Sequence, residues 1–133
     1  MLGTAVACGG TATTTAPDPV VAVDDSAEFD LADTVDVQTV ASVKDREDVV
    51  VLDVREQWEY DEGHIPGVTL IPMGEVANRL AEIPTDKEVI VTCRSGNRSG
   101  QVTDFLRQQG FDNVHNMDGG ILAWQAAGYD VEQ

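Results

Sequence analysis

The sequence predicts an α/β fold: an open, mainly parallel five-stranded sheet with helices on both faces. Three observations lead there. Val49-Val50-Val51-Leu52-Asp53-Val54 and Val89-Ile90-Val91-Thr92 are continuous β-branched apolar runs rather than alternating ones, the pattern of parallel strands covered on both sides. Such runs alternate along the chain with segments of helical spacing. The second run also delivers a cysteine, Cys93, onto a turn just ahead of a helix, which is where open parallel sheets place their chemistry.

Residues 1–33 hold Thr, Ala, Gly and Pro without periodicity, followed by small apolar and acidic residues, a composition that suits a tether rather than a packed element. Within them Ala5-Val6-Ala7-Cys8-Gly9 resembles the end of a bacterial lipoprotein signal, with Cys8 as the lipidated residue. Ala5 stands where Leu is usual, no basic residue precedes it, and only seven residues precede Cys8. The expectation is an extracytoplasmic or membrane-anchored protein tethered through Cys8, with a cytoplasmic protein bearing a plain tail as the alternative.

The folded domain is expected over residues 34–133. Val35-Asp36-Val37 reads as a first strand, and Gln38 to Lys44 as one or two helical turns with Val40 and Val43 inward. Asp45 to Asp48 is a charged turn before the strand Val49 to Val54. Glu56 to Glu62 reads as a short acidic helix carrying Trp58 and Tyr60, ended by Gly63. His64-Ile65-Pro66-Gly67 turns the chain into a third strand, Val68 to Ile71, which Pro72 closes. Met73 to Ala81 has helical spacing with Val76, Ala77 and Leu80 inward, and Ile83-Pro84-Thr85-Asp86 breaks it. Glu88 to Thr92 is the strand that delivers Cys93. Gln101 to Gln109 follows as a helix with Val102, Phe105 and Leu106 inward and Gly110 after it. Asn113 to Met117 is the last strand. Asp118-Gly119-Gly120 is a tight turn, and Ile121 to Ala127 a final helix with Leu122 and Trp124 packed, ended by Gly128.

The 133 residues are 42% hydrophobic, enough for a core, and carry a net charge of −16 with only eight Lys and Arg. Such a surface repels nucleic acid and anionic lipid, so neither is an expected partner. Two of the eight cations, Arg94 and Arg98, nevertheless flank one thiol. The two cysteines are far apart and make no disulfide framework. No Cys-x-x-Cys pair exists and His64 and His115 stand alone, so neither metal nor cofactor is expected.

The chemistry therefore gathers on Cys93-Arg94-Ser95-Gly96-Asn97-Arg98-Ser99. A cysteine is a nucleophile as thiolate. A turn that aims backbone N–H groups at one centre, a helix N-terminus behind it and two nearby guanidinium groups all favour that anion. Gly96 permits backbone angles that other residues resist, and Ser95 and Ser99 supply hydroxyl donors.

With these residues the chain resembles a single-domain rhodanese, a thiosulfate or related sulfurtransferase. The resemblance rests on three stretches in order: Leu52-Asp53-Val54-Arg55-Glu56 with Trp58-Glu59-Tyr60 and Gly63-His64-Ile65-Pro66-Gly67; the loop Cys93 to Ser99; and Met117-Asp118-Gly119-Gly120-Ile121 with Ala123-Trp124. It implies that Cys93 takes a sulfane sulfur from thiosulfate or a related donor as a persulfide and passes it to a thiol acceptor, a small redox protein, or cyanide. Arg94, Ser95, Gly96, Asn97, Arg98 and Ser99 would bind the donor and the persulfide, with Arg94 attracting the sulfonate end, Arg98 chiefly shaping the loop and Asn97 an exposed contact at its tip. The family reading makes Asp53 and Arg55 supporting residues, with Asp53 buried at its strand end beneath the active loop. His64 is expected as a structural hydrogen-bonder, and Trp58 and Trp124 as packing residues. The alternative is a persulfide carrier or docking module with little activity on free thiosulfate. A phosphatase or arsenate reductase is disfavoured. Related phosphatases carry one more residue between Cys and Arg, and the four residues between Cys93 and Arg98 make a ring that suits one sulfur atom better than a tetrahedral oxyanion.

Overall fold

A computed structural model describes residues 31–133. Residues 1–30, with Cys8 and most of the expected tether, lie outside the described residues; Ala32 and Asp33, expected in the tail, accept hydrogen bonds from His115 and Asn116 of the sheet. Five strands, β1 (Thr34–Val35), β2 (Val49–Asp53), β3 (Thr69–Leu70), β4 (Glu88–Thr92) and β5 (Val114–Met117), form one sheet in the order β1-β5-β4-β2-β3. Every strand pair is parallel, so the sheet is wholly rather than mainly parallel, with one isolated antiparallel bridge, His64 to Glu132, outside it. The two apolar runs seen in the sequence are the central pair, β2 and β4, in register from Val49 opposite Glu88 to Asp53 opposite Thr92. Leu52, Val54, Val89, Val91 and Cys93 pack into one core with Ile71, Val76, Val102 and Leu106. The alternate residues Val51, Ile90 and Thr92 are buried too, on the opposite face.

Among the described residues three α-helices connect strands, α1 (Val37–Val43), α2 (Gln57–Glu62) and α3 (Asn97–Gln108), and a fourth, α4 (Gly120–Ala126), follows β5. Helix α3 lies against β4, β5 and the segment after β3, while α1 packs against α4. Asp36 is the N-cap of α1 rather than part of β1; its carboxylate accepts the Thr39 N–H at 2.8 Å. The segment 73–82 is not an α-helix but two 3₁₀ turns, Met73–Asn78 and Leu80–Glu82. The tighter turn keeps Val76 buried and swings Ala77, expected inward, out to solvent.

Two further expectations change. Trp58 does not pack: it is 63% exposed. The inner face of the six-residue helix α2 is given to Glu59, which is buried, so its neighbour Trp58 falls on the outer side. In α4, Ile121 and Trp124 form the inner face three residues apart, and Leu122 is left 43% exposed. Trp124 is buried and donates its indole N–H to the Asp130 carbonyl at 2.7 Å.

Candidate active site

Cys93 stands at the carboxyl end of β4, in the middle of the sheet, and is 1% exposed. The loop after it turns through Gly96 at φ 101°, a left-handed conformation, and enters α3 at Asn97. A Cβ on Gly96 would also sit 3.1 Å from the Gly119 nitrogen. Asn97, Arg98 and Ser99 are therefore the first helical turn rather than loop tip, although Asn97 is exposed as expected.

No side chain caps α3, so its first N–H groups need another acceptor. The Cys93 sulfur fills that place, and the Gly96 N–H donates to Sγ at 3.0 Å. Burial pushes the thiol up. Hydrogen bonds from the Ser99 hydroxyl and from the backbone N–H groups of Ser99, Gly96 and Ser95 outweigh it, and the group is held below the usual thiol range. Ser99 has one hydroxyl proton, which it donates to Asn116 Oδ1 at 2.6 Å. That proton reaches the sulfur only by turning away from Asn116, so the backbone N–H groups are the standing part of the cradle.

What turns the N–H groups inward is the next helix. The Ile121 and Leu122 N–H groups at the start of α4 donate to the Cys93 and Arg94 carbonyls at 2.9 and 3.1 Å. With the carbonyls drawn toward α4, the amides of the loop are free to face the sulfur. The approach is close enough that a Cβ on Gly120, itself at φ 60°, would overlap the Arg94 carbonyl. The Asp118-Gly119-Gly120 turn is thus a wall of the site.

The two arginines part company. Arg98 sends both terminal nitrogens to Glu59, each at 2.8 Å. These bonds, against the opposing effect of burial and with help from the Glu56 N–H, bring the Glu59 carboxyl down to about 2. Arg94 is exposed, and among the described residues no carboxylate holds it. Asp53 and Arg55 form a pair almost wholly removed from water, with Arg55 Nε and Nη2 on the Asp53 carboxylate at 2.8–3.1 Å. Arg55 also donates to the Glu59 and Gly63 carbonyls. Asp53 therefore spends its bonds on Arg55 and acts on α2, which presents Glu59 to the loop.

His64 stacks on Tyr60 with ring centroids 3.7 Å apart, and Nδ1 donates to the Tyr60 carbonyl at 2.9 Å. Its Nε2 lies 3.4 Å from Glu132, so both nitrogens are occupied by structure. His115, isolated in the sequence, is not isolated in space: it bridges the Ala32 carbonyl and the Glu88 carboxylate, away from Cys93.

The residue that sequence reasoning missed is Glu59. In the sequence it stands only as part of a motif, yet in the structure it fixes Arg98. The available signal was its position three after Glu56, where the two form a capping box, a reason for its side chain to fold back toward the domain. Asn116, the acceptor for Ser99, gave no local signal at all. Beside the loop opens a mouth of about 440 Å³ lined by Trp58, Glu62, Arg94, Leu122 and Gln125 among others.

A parallel sheet that presents one buried cysteine in a ring of backbone donors defines a class, the α/β domains with a cysteine loop built for an anion. Within that class the chain belongs to the rhodanese-like sulfurtransferase family, whose rhodanese-like domain model matches residues 36–127. It is 42% identical over 87 residues to a sulfurtransferase of Allochromatium vinosum, covering 65% of this chain and 81% of that one. It is 40% identical over 83 residues to the thiosulfate sulfurtransferase GlpE of Pseudoalteromonas translucida, covering 62% and 79%. The crystal structure of a rhodanese-related protein from Thermoplasma volcanium is 32% identical and superposes with a TM-score of 0.69 over 76% of this chain and 98% of that one.

Proposed function

We propose that the domain transfers a sulfane sulfur from thiosulfate to a thiol, or to cyanide in an assay, through a persulfide on Cys93. The observation that carries this is the cradle: a buried sulfur at 3.0 Å from the Gly96 N–H, held toward its anion by the loop amides. The Cys93 thiolate attacks the outer sulfur of the donor. A bond forms from Sγ to that sulfur, the donor's S–S bond breaks, and its electron pair leaves with sulfite. The same amides that favour the thiolate then hold the persulfide anion, as an oxyanion hole holds developing charge. Arg94, held by no carboxylate among the described residues, meets the departing sulfonate end. No histidine enters, because the loop donors favour the thiolate and both nitrogens of His64 are engaged elsewhere.

Mass spectrometry after exposure to thiosulfate tests the step. The Cys93 peptide is expected to gain one sulfur, about 32 Da, added to the thiolate and removed again by a thiol. Cys93→Ser is expected to fold and to lose transfer by about a thousandfold or more, the range for removing a covalent nucleophile. A mutant that keeps most activity between thiosulfate and cyanide overturns the proposal. A persulfide that forms but turns over slowly with small acceptors favours the carrier reading.

A further inference from the structure

Among the described residues two large hydrophobics remain exposed, Trp58 on α2 and Leu122 on α4, and both line the same mouth, whose wall also includes Arg94, next to Cys93 in the chain, and Ile121, whose N–H bonds the Cys93 carbonyl. Scattered exposed hydrophobics need no explanation; two converging beside a buried nucleophile do. The mouth, at about 440 Å³, has far more room than a small inorganic anion fills and falls in the range that holds an organic ligand or a side-chain plug.

Its charges narrow the occupant. Arg55 and Glu59 line it but are neutralised by Asp53 and Arg98. Glu62 also lines it, is exposed, and has no ion-pair partner among the described residues; Glu56 and Asp61 are exposed on the same short helix. Arg94 is the opposing cation, and it serves the donor. Once sulfite has left, the side that faces α2 is apolar in the middle and acidic at its edge.

We propose that this mouth docks the sulfur acceptor, and that the acceptor is a polypeptide thiol: a cysteine flanked by an apolar side chain that seats between Trp58 and Leu122 and by a Lys or Arg that pairs with Glu62. An exposed tryptophan beside an aliphatic residue, rimmed by unpaired charge, has the composition of a protein-binding hot spot. The proposal rests on the persulfide reading above and deepens it. The acceptor thiol gives its proton to the outer sulfur of the persulfide anion, its thiolate bonds to that sulfur, the bond from that sulfur to Cys93 Sγ breaks, and the electron pair returns to Sγ. The acceptor leaves as its own persulfide and Cys93 as thiolate.

Blocked pentapeptides KLCLK, KSCSK and ELCLE test it on the full chain preloaded with thiosulfate and freed of excess donor. For each peptide the discharge rate is divided by the rate with cyanide. KLCLK is expected to exceed the other two about tenfold, and Trp58→Ala or Leu122→Ser to remove most of that lead. Glu62→Gln is expected to bring KLCLK and ELCLE together. A second arm needs no sulfur chemistry: KLSLK is titrated into unloaded protein and tryptophan emission is read, since Trp58 is exposed and Trp124 buried. A blue shift absent in Trp58→Phe supports docking. Equal discharge by all three peptides, or no emission change up to millimolar peptide, overturns it while leaving the persulfide reading intact. A chain that never gains the sulfur overturns that reading, and with it the identity of the occupant as an acceptor.

Discussion

Arg94 and Arg98 stand on either side of Gly96, one in the loop and the other in the first turn of α3, and are used in opposite ways. Arg98 is locked to Glu59 by two bonds of 2.8 Å and partly covered, and the carboxylate it holds is buried. Arg94 is exposed and unclaimed among the described residues. One cation has been consumed to tie the first turn of α3 to α2, and so to fix the amides that face the sulfur. The other is left for whatever anion arrives. In a chain with 24 acidic residues and eight basic ones, an unpaired arginine at the nucleophile is the less expected of the two. Proximity to Cys93 is therefore a poorer guide to the part a guanidinium plays than what that guanidinium already holds.

The strongest attempt to break the contrast is Arg98→Ala. It strands the Glu59 carboxylate in a buried position without its partner and frees the start of α3. A stability loss of about 2–3 kcal/mol is expected, below the full cost of opening a wholly buried pair because Arg98 is partly exposed. Sulfur transfer is expected to fall with it. Urea midpoints and turnover numbers, measured together, check both. Unchanged stability would mean that Arg98 is as free as Arg94.

Acid separates the two arginines more gently. Glu59 is lowered from 4.5 to about 2 in the folded domain. Because the folded value is the depressed one, the pair's contribution is complete above about pH 4.5 and is lost as pH falls toward 2. At most it amounts to about 3.5 kcal/mol, by the conversion of about 1.4 kcal/mol per unit, with less where solvent reaches Arg98. In urea titrations at a series of pH values, the stability gap between the wild type and Glu59→Gln is expected to narrow across that window. A gap constant from pH 5 to pH 2.5 would remove the Glu59–Arg98 pair as its source.

Much of this arrangement could be read from the sequence. The two continuous apolar runs became the central strands because residues buried on both faces leave little ambiguity. The cysteine loop was legible because its glycine, serines and arginines follow a strand directly. What was not legible depended on partners distant in sequence. Nothing local says that Arg98 reaches Glu59, which precedes it by 39 residues, or that Ser99 meets Asn116. Trp58 and Leu122 were misplaced inward because hydrophobicity predicts burial only when a helix has an inner face to spare. α2 spends its inner face on a carboxylate, and α4 is too short to bury a third apolar side chain. The 3₁₀ turns over 73–82 look like α-helix in the sequence because three apolar residues at near-helical spacing fit both periods in so short a stretch.

The smallest expected effect is the sharpest test of the comparison, because it asks what each arginine is needed for. A small sulfonate-bearing anion needs a positive charge within reach, whereas a bidentate carboxylate pair needs the planar fork of a guanidinium. Arg94→Ala removes the charge and is expected to raise the KM for thiosulfate about tenfold, or about 1.4 kcal/mol, with stability changed by less than about 0.5 kcal/mol. Arg94→Lys keeps the charge and is expected to hold KM within about threefold of the wild type. Arg98→Lys cannot reproduce the two parallel bonds to Glu59 and is expected to cost about 1 kcal/mol of stability even though its charge is kept. Steady-state kinetics and urea melts on these variants read the two quantities separately. If lysine is tolerated equally at both positions, the fork at Arg98 has no special role. If Arg94→Ala leaves KM unchanged, Arg94 has no part in holding the donor.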